Sequence, residues 1–253
     1  MSFAVSVTCG VAAAVAYAAA TALEHNAANT GTGEPDPVGL LQMVRNPRWL
    51  LGFFGDFVGL IFQTIALSAG TVVLVQPILV LSLPLSLPIA WALGGPRPQF
   101  GDYLGSLAII IGLSGFFVLL GHPEQGHLLH RRHALVAIVL ALLIGALAGL
   151  IVRGRSAPLR AAVYGAIAGS WFGLVGVLLD AAATTWRHRG LEGFTRPEGL
   201  VPLIGLLVVG ALSITLTQIS FQVGTLGASF PANLAAGPVV AVVLGAVLLR
   251  EHV

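Results

Sequence analysis

Runs of mostly apolar residues about 20 long alternate along the chain with shorter polar connections, at 3–23, 48–68, 71–93, 102–121, 134–152, 160–182, 200–221 and 225–249. A helix needs about 20 apolar residues to cross a hydrocarbon core of ~30 Å. The pattern therefore predicts an all-α, polytopic transmembrane bundle of about eight spans. Polar connections are short except at 24–47, 122–133 and 183–199. His25 to Pro37 is rich in Asn, Thr, Gly and Pro without helical period and reads as a loop, followed at Leu40–Val44 by a short interfacial helix. Trp49 beside Arg48 and Trp186 beside Arg187 are the aromatic and basic anchors expected at a span's edge.

Composition removes the soluble alternatives. Hydrophobic residues make up 57% of the 253 positions and charged residues 9%, whereas a soluble domain carries about 25% charged residues. Every basic residue but histidine is Arg, scattered singly or in pairs between apolar runs, so the high pI reflects interfacial anchoring and not nucleic-acid binding. The Arg residues divide evenly between the two sides of the predicted topology, which leaves orientation open. The lone Cys9 lies inside the first run and excludes an intrachain disulfide. Ala18-Ala19-Ala20 resembles a cleavage site, but no positive residue precedes the first run, which is read as a retained helix. No phosphate-binding loop, nucleophile elbow or zinc-protease motif occurs, and no cofactor is expected.

The runs contain a repeat. Gly70-Thr71, Pro77 and Pro84 in the third recur as Gly224-Thr225, Pro231 and Pro238 in the eighth, at one constant offset without gaps. Extending the register pairs the second span with the seventh and the first with the sixth, and brings Glu24 opposite Asp180 within two residues. Equivalent helices lie an odd number of spans apart, so the copies cross in opposite directions. Residues 1–121 form the first repeat, 122–153 a connecting span and 154–253 the second repeat, whose last helix is missing before Val253. That absence is read as truncation or as compensation by an oligomer. Inverted repeats give two near-equivalent states open to opposite sides, and proline-interrupted helices at matching positions point to the substrate. The four prolines are candidate gating breaks, with kinks for packing as the alternative.

Asn46-Pro47-Arg48-Trp49 opening a span, Ala66-Leu67-Ser68 closing it and Val75-Gln76-Pro77 beyond a short turn resemble the first-repeat core of the drug/metabolite transporter (EamA-like) superfamily. Gly55-Asp56 before the proline helix, with Val163-Tyr164-Gly165 opening the sixth span, is similar to its NIPA-type magnesium-transporter branch. The departures are Glu24-His25 where that branch carries Lys, and Asp56 where it carries Glu. The resemblance implies an alternating-access carrier of small solutes or ions, with Mg²⁺ among the candidates.

Asp56 is the most informative side chain. It lies about 12 Å into its span at ~1.5 Å per residue. A carboxyl there costs several kcal/mol unless paired, hydrated or protonated, which marks it for proton coupling or cation binding. Asp180 sits about two turns from an interface. Glu24 closes the first span, where solvation is the alternative. Gln63, Gln76, Gln218, Gln222 and Asn233 offer uncharged polar groups for a pathway or for helix-to-helix bonds. Tyr17, Trp171 and Phe172 are expected to pack. Gly165, Gly169 and Gly173, with Gly145 and Gly149, are spaced for close helix approach. His122, His127, His130 and His133 beside Arg131-Arg132 read as a hydrated loop and not a metal site.

These readings converge on a multi-pass carrier of the cell membrane, not an enzyme. Its expected partners are the bilayer and a small solute or cation, with proton coupling among the options. The rivals are a membrane enzyme acting on a lipid, for which the His-rich loop with Glu124 is the only candidate, and a scaffold without transport.

Overall fold

The computed structural model describes residues 3–28, 39, 42, 43, 45–69, 72–120 and 130–244. Gly70, Thr71, His122, Glu124, His127 and the chain beyond Leu244 lie outside the described residues, as do the side chains of Gln76 and Asp180. The described residues are helical almost throughout: α1 (Phe3–Ala28), α2 (Pro47–Ala69), α3 (Val72–Val80), α4 (Ser82–Ala92), α5 (Phe100–Leu120), α6 (Arg131–Ile151), α7 (Ala157–Arg189), α8 (Pro197–Val223) and α9 (Leu226–Leu244). A short 3-10 helix, Gly190–Thr195, links α7 to α8.

Local chemistry sets the helix ends. Asn46 Oδ1 accepts the Arg48 backbone N–H at 2.9 Å, and Pro47 occupies the first helical position, where no donor is needed. His130 Nδ1 accepts from the Arg132 backbone N–H at the start of α6. Asp102 Oδ2 accepts from the Gln99 N–H at 2.7 Å and folds the chain into α5. Gly190 ends α7 at φ 56°, a left-handed conformation that glycine adopts without strain.

Among the described residues, six helices are long and apolar enough to cross a membrane: α1, α6, α8 and α9 in full, α2 over Pro47–Ala66 and α7 over Ala157–Trp186. Two further apolar stretches, Pro77–Ala92 and Phe100–Phe116, are shorter. The third predicted span is broken at Leu81 between α3 and α4. Its cause is Pro84, which has no N–H to bond the Val80 carbonyl and instead fits the first turn of α4. α9 runs unbroken through Pro231 and Pro238. Along α6, Leu135, Val136, Val139, Leu140, Leu143, Ile144, Leu147 and Leu150 are exposed. A continuous apolar face of this kind suits acyl chains and would drive aggregation in water. The chain is thus an all-helical protein built as a multi-pass membrane protein.

The chain divides into two compact units, Met1–His122 with Gln218–Pro231, and Pro123–Thr217 with Ala232–Val253. In the first, α1 packs on α2, α3 and α4, and α3 packs on α5. Its cores gather Ala13, Ala66, Val75 and Leu79 in one cluster, and Ala22, Trp49, Ala90, Phe221 and Leu226 in another. In the second, α6 packs on α7 around Ala134, Leu174, Val177, Leu178 and Val209.

Glycines set the closest approaches in both units. A Cβ at Gly52 would lie 2.8 Å from Glu24 Cγ, one at Gly55 3.1 Å from Ala20 Cβ, and one at Gly59 2.7 Å from the Tyr17 ring. α2 thus offers α1 a seam without side chains. In the second unit, Gly169 faces the Asn233 carbonyl and Gly173 the Gly237 carbonyl, so backbone meets backbone where α7 crosses α9. Lipid tails are as apolar as Leu, so such contacts, and not hydrophobic burial, hold membrane helices together. Gly145 receives the Trp171 ring, whose Nε1 donates to the Ala141 carbonyl at 3.0 Å.

Candidate functional site

The polar centre of the first unit lies on the α1–α2 seam. α1 continues past the predicted end of its span to Ala28, carrying Glu24 inside the protein, where it is 7% exposed. The extension is held by side chains after Glu24. Asn26 Nδ2 donates to the Leu93 carbonyl at 2.9 Å, and Asn26 Oδ1 accepts from Arg48 at 3.2 Å. His25, 2% exposed, places Nε2 3.2 Å from the Gly224 carbonyl and meets Phe221 edge-on at 5.5 Å. A carbonyl only accepts, so this bond fixes the proton on Nε2.

Glu24 and Asp56 of α2 are neighbours, close enough for each carboxyl to act on the other. Two neighbouring carboxyls in a low-dielectric interior repel each other when both are ionised, so such a pair favours keeping one proton between them. Gly52, one turn before Asp56, leaves the room that Glu24 occupies. Gln218 of α8 completes the group: its Nε2 donates to Glu24 Oε2 at 2.8 Å. Gln218 is 4% exposed, and its Oε1 has no hydrogen-bond partner. An orphaned buried acceptor costs about 1–3 kcal/mol.

Tyr17 and Gln63 adjoin this centre. Tyr17 Oη donates to Gln63 Oε1 at 2.7 Å, and its ring covers Gly59. Tyr17→Phe is expected to lower stability by about 1 kcal/mol, as one interhelical bond in lipid is worth. Thermal unfolding in detergent checks this.

The other candidates fall elsewhere. Gln222 is buried on α8. Asn233, in the second unit, donates from Nδ2 to Thr217 Oγ1 at 3.0 Å. His130 and His133 meet at a tilt, ring centroids 5.8 Å apart, on the exposed start of α6. Among the described residues, no three His, Cys, Asp or Glu side chains gather as a metal site. Gly52 and Gly59 escaped the sequence reading, although Gly52, Gly55 and Gly59 at helical spacing were a visible signal of close approach.

An uncharacterized protein of Corynebacterium glutamicum is 31% identical to this chain over 215 residues, covering 84% of the chain and 72% of that protein. The chain belongs to that protein's family. No family model matches it, and no solved structure matches it. The family assignment brings no activity with it.

Proposed function

We propose that the protein is a secondary transporter of a small solute or cation in the cell membrane, working by alternating access, with Glu24, Asp56 and Gln218 at its coupling centre. One observation carries this reading: two neighbouring carboxyls with an unpartnered buried amide oxygen beside them, on helices whose residues are mostly apolar. A scaffold has no use for such a group, because ionisable residues within membrane helices are costly and mark ion or substrate pathways.

The repeat supports the same reading. α2 ends at Ala69 and α3 begins at Val72, while α8 ends at Val223 and α9 begins at Leu226, so both junctions fall at the same repeat register. With the short stretches Pro77–Ala92 and Phe100–Phe116 counted as spans, the six long helices become eight. We read their order as that of an inverted-repeat carrier of the drug/metabolite transporter type. Pro77, Pro84, Pro231 and Pro238 are the matched positions assigned to gating in this reading; the first copy is interrupted at Leu81, and α9 runs on through its two prolines.

Reconstitution into liposomes with an imposed proton gradient, scanning small solutes and Mg²⁺, tests the proposal. Wild-type protein is expected to carry a solute or ion, and Asp56→Asn to lose that flux. Absence of flux for every solute and ion tried overturns the reading.

A further inference from the structure

The centre's chemistry points to the kind of cation it takes. Two neighbouring carboxyls in a low-dielectric interior favour keeping one proton between them, so the resting site carries a single negative charge. A ligand that replaces the proton has to be positive and has to satisfy three acceptors: Glu24, Asp56 and the orphaned Gln218 Oε1. Mg²⁺ demands near-octahedral coordination by six oxygens and gives up water reluctantly. Here the Gln218 amide presents a donor, Nε2, to one of the carboxylate oxygens such an ion would need. A primary ammonium group is the complement: three N–H donors, no acceptor and one positive charge.

We propose that Glu24, Asp56 and Gln218 form an exchange site at which one proton and one primary ammonium group compete. The exchange balances. R–NH₃⁺ enters, the shared proton leaves to water, both carboxyls end ionised, and the charge of the occupied site is unchanged. Gln218 keeps its Nε2 bond to Glu24 and turns its free Oε1 to the third N–H. Asp56 is only partly buried. Few described groups compete for the proton. Cys9, Tyr17 and His25 lie on α1, Arg48 on α2 and Asp102 and Tyr103 on α5; α3 and α4 carry no titratable side chain, nor do the parts of α8 and α9 in this unit. Tyr17 is committed to Gln63, His25 faces the Gly224 carbonyl and Arg48 bonds Asn26.

The inference rests on the transport reading but has a readout of its own. Purified protein in detergent, weakly buffered with a pH dye, is titrated with methylammonium and separately with tetramethylammonium, which has equal charge and no N–H donor. Methylammonium is expected to release about one proton per chain, as the single shared proton requires. Tetramethylammonium is expected to release none. Gln218→Leu should weaken methylammonium about tenfold, the loss of one hydrogen bond to a charged group. Equal release by both ions, or release by neither, overturns the inference, and the comparison needs no variant to fold. Liposome flux without proton release leaves transport standing and removes this site; proton release without flux does the reverse.

Discussion

Glu24→Leu is expected to abolish flux and destabilise the protein, whereas Glu24→Gln is expected to fold and lose only the exchange of protons. Glu24 is the joint of the centre: it accepts from Gln218 Nε2 and neighbours the Asp56 carboxyl. Leucine removes both interactions. Gln218 is then left buried with neither end of its amide satisfied, and each orphaned group costs about 1–3 kcal/mol. Glutamine has nearly the same shape, its Oε1 accepts from Gln218 and its Nε2 donates to Asp56, but it carries no transferable proton. Thermal unfolding in detergent separates the two variants, and proton flux in liposomes should be lost in both. Should Glu24→Leu melt with the wild type, the centre contributes nothing to holding α1, α2 and α8 together.

The second large effect is expected in α7, with a control in the same helix. Gly169→Ala drives a methyl into the Asn233 backbone carbonyl, which has no rotamer by which to yield. Overpacking of this kind costs about 1–3 kcal/mol, and the loss of backbone contact with α9 adds to it. Gly176 meets nothing within 4 Å. There alanine is expected to gain about 0.5–1 kcal/mol by restricting the unfolded backbone. Midpoints of thermal unfolding for the two variants should therefore move in opposite directions. A shift of the same sign in both removes the argument that α7 and α9 are held by contact over glycine.

The apolar runs anticipated where helices lie because hydrocarbon length is a strong constraint. The run at 134–152 became Arg131–Ile151, and that at 200–221 became Pro197–Val223. Helix ends were less legible. The first span was drawn to residue 23, where polar residues begin, yet Asn26 and His25 find partners in Leu93 and Gly224 and the helix runs on to Ala28. That difference of about one turn, at ~3.6 residues per turn, takes Glu24 from the expected boundary into the interior. Asp56 was conspicuous by itself, an acid within an apolar run. Its partnership with Glu24 was not, since hydrophobic periodicity describes which face of a helix is apolar but not which neighbour it meets. Gln218, 194 residues from Glu24, is further still beyond local reasoning. Its place followed only from the packing of α8 beside α1.

The seam between α1 and α2 has a thermodynamic consequence. Glycine and alanine have no rotamers to freeze, whereas a long side chain fixed at an interface gives up as much as about 2 kcal/mol of rotational freedom. Gly52, Gly55 and Ala20 meet without that loss. The pairing of these two helices is therefore cheap in entropy, and nearly all the side-chain disorder of this pair stays with the exposed Leu51, Phe54, Phe57, Leu60 and Ile61 of α2. The close contact of these two helices is thus ordered at little rotational cost, while the long apolar side chains of α2 stay on its outer face.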